Sequence, residues 1–323
     1  MHAAGAGACQ VIHVLRNSNR RLVFSHHLLS FYFSWQNYHV VSMVGVLDPH
    51  FTTFDGTHFS FHGQCDLVLM KSASFSSGKG LDLHIRTTLV EKFNNLMYSY
   101  ISGAALRIGD DVMEISIDGS LVVNGGREIM SESAGDEKLN LPIAFAGAYL
   151  LTKTLNGTYN RIIIYEVDLG NKRYIKIRVN TSTKMIFVQV EGSINDSVGL
   201  LGTPGVKGLY TRDGETDLTS SWNSFGLEWQ VNNSDRKLFV NKHRFPQHPQ
   251  SCSFEVLNKN GESHKKNIRR RILDESPALV EINVDDAISA CADSPDGFKK
   301  EFCIQDVMAT GLVELANDPF YLF

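Results

Sequence analysis

Three histidines, His50, His58 and His62, are spaced closely enough to raise the question of a metal site, because imidazole is a common metal ligand. The residues around them favour an extended strand. On a strand His58 and His62 share one face but lie about 13 Å apart at ~3.3 Å per residue. One ion with bonds near ~2 Å cannot bridge that distance without a bulge. We therefore expect satisfied or exposed histidines in this segment.

The chain lacks the short motifs of common catalytic sites. It contains no G-x-S-x-G, no H-E-x-x-H, no phosphate-binding glycine loop and no C-x-x-C. Acidic residues are abundant, but their spacing singles out no pair for acid–base catalysis. With 31 Lys and Arg against 35 Asp and Glu, a net charge of −4 argues against a general nucleic-acid binder. The sequence predicts a protein that is not an enzyme and binds no nucleic acid.

Two further polar signals are weak. Four Asn-x-Ser/Thr sequences would accept glycans in a secreted chain, a number near what chance gives: Asn156, Asn180, Asn195 and Asn232. A basic cluster predicts a solvated linker, with a nuclear signal, a processing site or an anionic-glycan contact as alternatives: Lys265, Lys266, Arg269, Arg270 and Arg271.

The elements that must position these residues are strands. Leu81, Leu83 and Ile85 alternate with polar residues, the period-two pattern of a half-buried strand. Asp118-Gly119 joins two alternating runs, which is a strong hairpin signal, and a second hairpin is predicted around residues 162–179. Many short strands with turn residues between them predict an all-β fold, an antiparallel sandwich or barrel. Short helices are predicted only near the C-terminus, the first from Asp285-Asp286 and the second ending near Gly311.

The first 43 residues differ from the rest of the chain. Arg16, Arg20 and Arg21 precede an aromatic and aliphatic stretch at 22–35, which polar residues interrupt and no clean cleavage site follows. The stretch is too short and too polar to span a bilayer, so no transmembrane segment is predicted. A degraded or mis-started signal region, a genuine leader and an ordinary N-terminus all remain open.

Residues 47–65, LDPHFTTFDGTHFSFHGQC, resemble the opening of a von Willebrand factor type D domain, GDPHY-x-TFDG-x-x-Y-x-F-x-G-x-C. Later landmarks follow in the family's order. Residues 196–202 are similar to its GLCGN turn, 211–214 to its TPDG, and 225–231 to its FG-x-x-W-x-V strand, which predicts a strand that buries Trp229. Residues 291–311 resemble the end of the cysteine-bearing helical region that often follows. The resemblance implies an antiparallel β-sandwich of the type D kind with a small α-helical C-terminal appendage.

The resemblance also implies which cysteines pair. The family's early cysteine and the cysteine of its GLCG turn are replaced by Met43 and Leu201, so both partners of that bridge are missing together. The family's other bridge implies Cys65–Cys252, with buried free thiols as the alternative. The helical region implies a second pair, Cys291–Cys303, and leaves Cys9 free. Because Leu201 replaces the cysteine associated with thiol exchange, no disulfide-linked multimer is expected.

Calcium is the cofactor that the resemblance raises. Type D domains hold Ca²⁺ with the aspartate of TFDG, which is Asp55 in this chain, and with Asn and Asp side chains after the GLCG turn. Residues 203–208 offer no such side chain and include Lys207. Ca²⁺ takes about six to eight oxygen ligands. We therefore predict no cofactor, with Asp55 as a structural turn residue in a degraded calcium site.

Self-cleavage is the one chemical step that the resemblance raises. Some family members hydrolyse the Asp–Pro bond within GDPH, where the carboxylate attacks its own peptide carbonyl and an imidazole donates a proton. Asp48, Pro49 and His50 are present, but Leu47 replaces the family's glycine. Leucine does not share the backbone freedom of glycine, which argues against cleavage.

The sequence as a whole predicts an N-terminal segment (1–43), a type D β domain (44–252), a polar basic linker (253–280), a short helical region (281–316) and a tail (317–323). The predicted function is that of a secreted structural or adhesive module, with extracellular proteins or glycans as partners. Two alternatives remain: a β-sandwich carbohydrate-binding protein or hydrolase, which Trp222 and Trp229 lining a groove would favour, and a precursor that cleaves itself at Asp48–Pro49.

Overall fold

The computed structural model describes residues 41–46, 48–91, 97–124, 128–129, 141–156, 162–240, 251–254, 282–295, 297–311 and 313–317. Residues 41–46, 48, 90–91, 97–98, 128–129, 298, 309–310 and 314 are described by their backbone alone. All of them belong to one compact unit, Asn37–Phe323. The predictions for Cys9, for most of the N-terminal segment and for the basic cluster at 265–271 lie outside the described residues.

The described chain is mostly antiparallel strand, as predicted. One sheet has eight strands in the order β10-β11-β12-β13-β14-β1-β2-β3. Its members are β1 (Val41–Val46), β2 (Asp48–Thr52), β3 (His58–Ser60), β10 (Ile143–Phe145), β11 (Tyr149–Asn156), β12 (Ile162–Gly170), β13 (Arg173–Asn180) and β14 (Met185–Glu191). The other sheet has six strands in sequence order: β4 (Asp66–Ser72), β5 (Leu81–Glu91), β6 (Met97–Ile108), β7 (Asp111–Ser116), β8 (Leu121–Val123) and β9 (Glu128–Ile129).

The two sheets share one apolar core. Alternate residues of β5 and β12, such as Leu83, Ile85 and Ile163, are almost fully buried in it. Tyr165 in β12 donates its hydroxyl to the carbonyl of Gly119, in the turn between β7 and β8, at 2.7 Å. Because the period-two pattern gives each strand one apolar face, the two sheets bury those faces against each other.

Both predicted hairpins are confirmed. Ile115 pairs with Leu121 across the Asp118-Gly119 turn. β12 and β13 pair along their length, and Asn171 and Lys172 in the connecting turn have φ of 54° and 60°. Strand alternation together with residues that tolerate left-handed backbone was therefore sufficient to place these pairs.

The predicted strand at residues 225–231 is wrong. These residues lie mainly in the helix α2 (Trp222–Glu228), which Trp229 ends. Phe225 and Trp229 are four residues apart, so the helix directs both side chains into the core, where they are 1% and 3% exposed. The burial of Trp229 was predicted; the secondary structure that achieves it was not.

The helical appendage consists of α3 (Val284–Ala290), α4 (Phe298–Thr310) and a 3₁₀ helix (Val313–Asn317). The side chain of Asn283 accepts from the amide of Asp286 at the start of α3, and Gly311 ends α4 with φ of 74°. A second apolar cluster packs the appendage against β14 through Met185 and Phe187. A further short helix, α1 (Phe75–Gly78), contains left-handed residues and serves as a turn.

Candidate functional site

The aspartate of the TFDG motif lies in a turn between β2 and β3, at residues 53–57. The carboxylate of Asp55 accepts hydrogen bonds from the hydroxyl of Thr53, from the amide of Thr57 at 3.1 Å and from the hydroxyl of Thr57 at 3.2 Å. Gly56 has φ of +83° with open space around it. The motif therefore builds a turn whose polar groups are satisfied by its own aspartate.

The same carboxylate reaches a second loop. The amide of Gly208 donates to Oδ2 of Asp55 at 2.9 Å, which ties residues 203–208 to the turn. Partial burial alone would raise the pKa of Asp55, but hydrogen bonds from Thr53, Gly208 and Thr57 outweigh it and hold the pKa below its usual value. Asp55 is therefore an ionised acceptor at neutral pH.

The residues around Asp55 do not fit a calcium ion. Both of its oxygens already accept hydrogen bonds from protein donors. Loop 203–208 supplies Thr203 and Lys207 but no carboxylate or side-chain amide. Within the described ranges, no group of three or more His, Cys, Asp or Glu side chains could hold a metal ion. We therefore assign no metal-binding role to Asp55.

The turn Gly-Leu-Leu-Gly at residues 199–202, called the GLLG turn below, packs directly on the six-stranded sheet. Gly199 has φ of +144°, and a Cβ there would lie 2.5 Å from the carbonyl oxygen of Leu69 in β4. The amide of Leu201 donates to that carbonyl at 3.1 Å, and the amide of Phe54 donates to the carbonyl of Leu201 at 2.9 Å. Leu201, in the place of the family's cysteine, is 1% exposed. This position is a core contact.

Both predicted disulfides are present. Cys65 and Cys252 are joined across a sequence separation of 187 residues, with their Cα atoms 4.8 Å apart. An isolated bridge between Gln64 and Ser253 flanks the bond. Cys291 and Cys303 join α3 to α4. The first disulfide therefore holds the segment at 251–254 against the start of β4, and the second closes the appendage on itself.

The histidines of the opening motif contact the appendage. His50 stacks on Phe302 with ring centroids 3.9 Å apart, its Nδ1 lies 2.7 Å from the hydroxyl of Ser60, and its Nε2 lies 3.4 Å from a carboxylate oxygen of Asp306. The ring of His58 meets the edge of Phe302 at 6.1 Å. These histidines line an internal contact between β2, β3 and α4. Sequence reasoning missed the role of Asp306, although it lies in the recognised ending of the helical region.

The third histidine of the motif, His62, is half-buried, and the Asp48–Pro49 bond lies close to it in sequence. Burial, with a further effect of the charge on His50, lowers the pKa of His62 to about 4. Pro49, beside the bond that self-cleavage would break, is buried, and its carbonyl accepts from the amide of Phe61 at 3.3 Å. The imidazole of His50 contacts Ser60, Phe302 and Asp306. The assigned roles of Asp48, Pro49 and His50 in cleavage stay untested predictions.

A cavity of about 300 Å³ opens where the GLLG turn, the Thr-Arg-Asp-Gly turn at residues 211–214 and α2 meet. Aromatic residues Tyr210, Phe225 and Trp229 line it together with Thr203 and Val206. The indole N–H of Trp229 is buried, and no hydrogen-bond partner for it exists in the part of the chain that the structure describes. Such a donor calls for an acceptor, because an unsatisfied buried N–H costs free energy. Trp222, the other tryptophan considered for a groove, is 48% exposed and does not line this cavity.

Two charged side chains at the cavity wall, Arg212 and Asp213, have protein partners. The guanidinium of Arg212 lies 3.0 Å from the carboxylate of Asp235 and donates to the carbonyls of Glu228 and Gln230 at 2.7 and 2.6 Å. Asp213 accepts from the hydroxyl of Thr211 at 2.5 Å. The cavity therefore presents hydroxyl groups and aromatic surface, together with the carboxylate of Asp213, whose cited donors are neutral.

The four candidate glycosylation residues lie at element ends or in turns. Asn156, Asn195 and Asn232 are exposed, whereas Asn180 is half-buried at the end of β13. The side-chain oxygens of Asn180 and Asn232 accept local amide hydrogen bonds. A glycan would be attached to the side-chain nitrogen, and these contacts involve only the side-chain oxygen. Glycosylation of the four residues therefore stays a prediction.

The chain belongs to the von Willebrand factor type D domain family, whose model matches residues 45–221, more than half of the 323 residues. The match contains the Asp55 turn, the GLLG turn and most strands of both sheets. Domains of this family are typically extracellular, mediate interactions there and are not enzymes. A comparison with curated proteins finds no match. Across the described helices, none is long and apolar enough to cross a membrane.

Proposed function

We propose that this chain is a secreted, non-catalytic structural or adhesive module that mediates protein or matrix assembly outside the cell. The observation that carries the proposal is the Cys65–Cys252 disulfide within a type D domain. Disulfides form and persist in oxidising compartments such as the secretory pathway and the extracellular space. The Cys65–Cys252 disulfide encloses most of the domain in one covalent loop, and it can stabilise the domain only in a compartment where the two cysteines stay oxidised.

Assembly through this module is non-covalent, or runs through Cys9, which lies outside the described residues. Leu201 is buried where thiol exchange would need a cysteine, and Cys65, Cys252, Cys291 and Cys303 are paired within the chain. The partners are therefore extracellular proteins or glycans bound through the surface of the domain. The domain boundaries at 44–252 and 281–316 are part of the same proposal.

A retention assay on extracellular matrix tests this function. The purified oxidised chain should bind saturably to matrix deposited by cultured cells, and chain that is reduced and alkylated should not. The matrix polymers should remain unchanged in length after incubation. Release of shortened glycan or peptide fragments by the chain, or equal retention of the unfolded protein, would contradict the proposal.

The cavity beside Trp229 favours a second candidate function, the binding of a neutral saccharide. Its lining combines aromatic rings with threonine hydroxyl groups, which suits a ring that has apolar faces and hydroxyl groups. Tryptophan fluorescence titrated with neutral methyl glycosides tests it. A saturable change that is lost in Trp229→Phe but kept in Trp222→Phe supports binding, and a flat titration of the unaltered chain refutes it for these sugars.

A further inference from the structure

We infer that direct hydrogen bonding to the Asp55 carboxylate, in place of a bound metal ion, connects the turn at residues 53–57 with the loop at residues 203–208, so that the domain folds independently of calcium. This connection concerns how the module is held together and does not depend on the proposed adhesive function.

The carboxylate of Asp55 is fully engaged by protein donors. Its Oδ1 accepts from Thr53 and from the amide of Thr57, and its Oδ2 accepts from the hydroxyl of Thr57 and from the amide of Gly208 at 2.9 Å. An ionised carboxylate has about four acceptor positions. A cation would have to displace these donors, whose positive ends already face the oxygens.

The composition of the facing loop also disfavours a cation. Ca²⁺ takes about six to eight oxygens and is favoured by several carboxylates. Residues 203–208 contain no acidic or amide side chain, and Lys207 places a positive charge next to Gly208. The backbone amide of Gly208 is thus the group that meets Asp55, and a charge-assisted N–H···O bond performs the connection.

The chain contains a matched control for this connection. Residues 53–57 and 211–215 are both Thr-x-Asp-Gly turns. In the second, Asp213 also accepts from the hydroxyl two residues before it and from the amide two residues after it. Gly56 and Gly214 have φ of +83° and +76°. Asp55 differs in two contacts, because it also accepts from the hydroxyl of Thr57 and from the amide of Gly208 in a distant loop. A comparison of the two aspartates therefore measures these two contacts together.

Thermal unfolding of the full chain and of the variants Asp55→Asn and Asp213→Asn, each in chelator and in excess calcium chloride, tests the inference. We expect the same melting temperature for the unaltered chain in both buffers. Asp55→Asn should melt at least ~4 °C lower than Asp213→Asn, because it weakens an inter-loop bond as well as the turn. Added calcium should not raise the melting temperature of Asp55→Asn.

Two results would overturn the inference. One is a saturable rise in melting temperature with calcium that Asp55→Asn abolishes. The other is an equal melting temperature for the two Asn variants. Thr57→Val removes the hydroxyl donor to Asp55 but keeps the bond from Gly208, so it should melt at a higher temperature than Asp55→Asn. If Asp55→Asn does not fold, the unaltered chain carries the test. Calorimetric titration of the unaltered chain with calcium chloride should then show no binding heat.

Discussion

A carboxylate oxygen of Asp306 in α4 lies 3.4 Å from Nε2 of His50 in β2, and neither side chain is exposed to solvent. The pair joins the end of the chain to the first motif of the type D domain. Phe302, one turn earlier on the same helix, stacks on the same imidazole. The helical appendage is thereby held on the β domain by a polar contact as well as by its apolar cluster.

The first prediction concerns this pair. Asp306→Ala leaves the buried imidazole without its acidic neighbour and should lower the free energy of unfolding by about 1–3 kcal/mol, since removing one partner of a buried polar contact is costly. Denaturant unfolding measures it. Glu301→Ala, an exposed change on the same helix, is the control and should stay within ~0.5 kcal/mol of the unaltered chain. Equal stability of the two variants would show that the contact between His50 and Asp306 does not contribute to the free energy of unfolding.

The second prediction concerns the GLLG turn. Gly199→Ala should destabilise the domain by about 3 kcal/mol or prevent folding, because the new Cβ would meet the Leu69 carbonyl at 2.5 Å. Gly205→Ala, also at positive φ (+79°) but with open space around it, should cost only ~1 kcal/mol. Chemical denaturation of both variants compares them. A smaller loss for Gly199→Ala than for Gly205→Ala would be inconsistent with the close approach of this turn to β4.

The third prediction concerns pH and His84. Burial lowers the pKa of His84 to about 4, against the opposing charges of Asp82, Asp235 and Asp66. Its unfolded pKa is near 6.5, so between these values the unfolded state takes up a proton that the folded state does not. Stability should therefore fall as the pH drops from about 6.5 to 4, by up to ~1.4 kcal/mol per pH unit from this residue.

Removal of His84 provides the check. The unfolding free energy should be measured against pH across this range for His84→Leu and for the unaltered chain. The slope for His84→Leu should correspond to about one proton fewer taken up on unfolding. Parallel pH profiles for the two proteins would mean that His84 titrates normally in the folded state.

The fourth prediction concerns the two disulfides. In the chain-entropy treatment, a bridge spanning 187 residues contributes roughly 5 kcal/mol and one spanning 12 residues roughly 3 kcal/mol. Replacing Cys65 and Cys252 by serine should therefore destabilise the chain more than replacing Cys291 and Cys303. Equilibrium unfolding of the two double variants under non-reducing conditions tests the order, and the reverse order would contradict it.

The fifth prediction concerns the Asp48–Pro49 bond. Because Pro49 is buried and the imidazole of His50 is held by Ser60 and Phe302, mild acid incubation should leave the chain intact. Mass spectrometry and N-terminal sequencing measure this directly. A fragment that begins at Pro49 would favour a self-cleaving precursor over a non-catalytic module.

Sequence patterns correctly predicted the turns and hairpins that are stabilised by interactions between residues close together in the chain. The Asp118-Gly119 hairpin followed from alternation and turn chemistry, and the Asp55 turn followed from a dense motif. The helix at residues 222–228 did not, because the family motif suggested a strand while the four-residue spacing of Phe225 and Trp229 suits a helix equally well. Gly226 explains the motif's glycine: a Cβ there would lie 2.1 Å from the ring of Phe61.

The contacts between distant segments could not be read from the sequence. The bond from Gly208 to Asp55 uses a backbone amide, which every residue except proline possesses, so no residue type marks it. Period two placed Asp82, His84 and Arg86 on a solvent face, but His84 and Arg86 are only 1% and 5% exposed. Residues after α2 cross that face, with Phe239 4.5 Å from the guanidinium of Arg86.

Non-reducing peptide mapping of the chain recovered from the medium of a secreting eukaryotic host tests most directly whether this is a secreted, disulfide-stabilised type D module. We expect export of the chain and two cystine-linked peptide pairs, 65 with 252 and 291 with 303, within a single polypeptide. Retention of the chain inside the cell with these four thiols reduced, or cystines that join one polypeptide to another through them, would contradict that function.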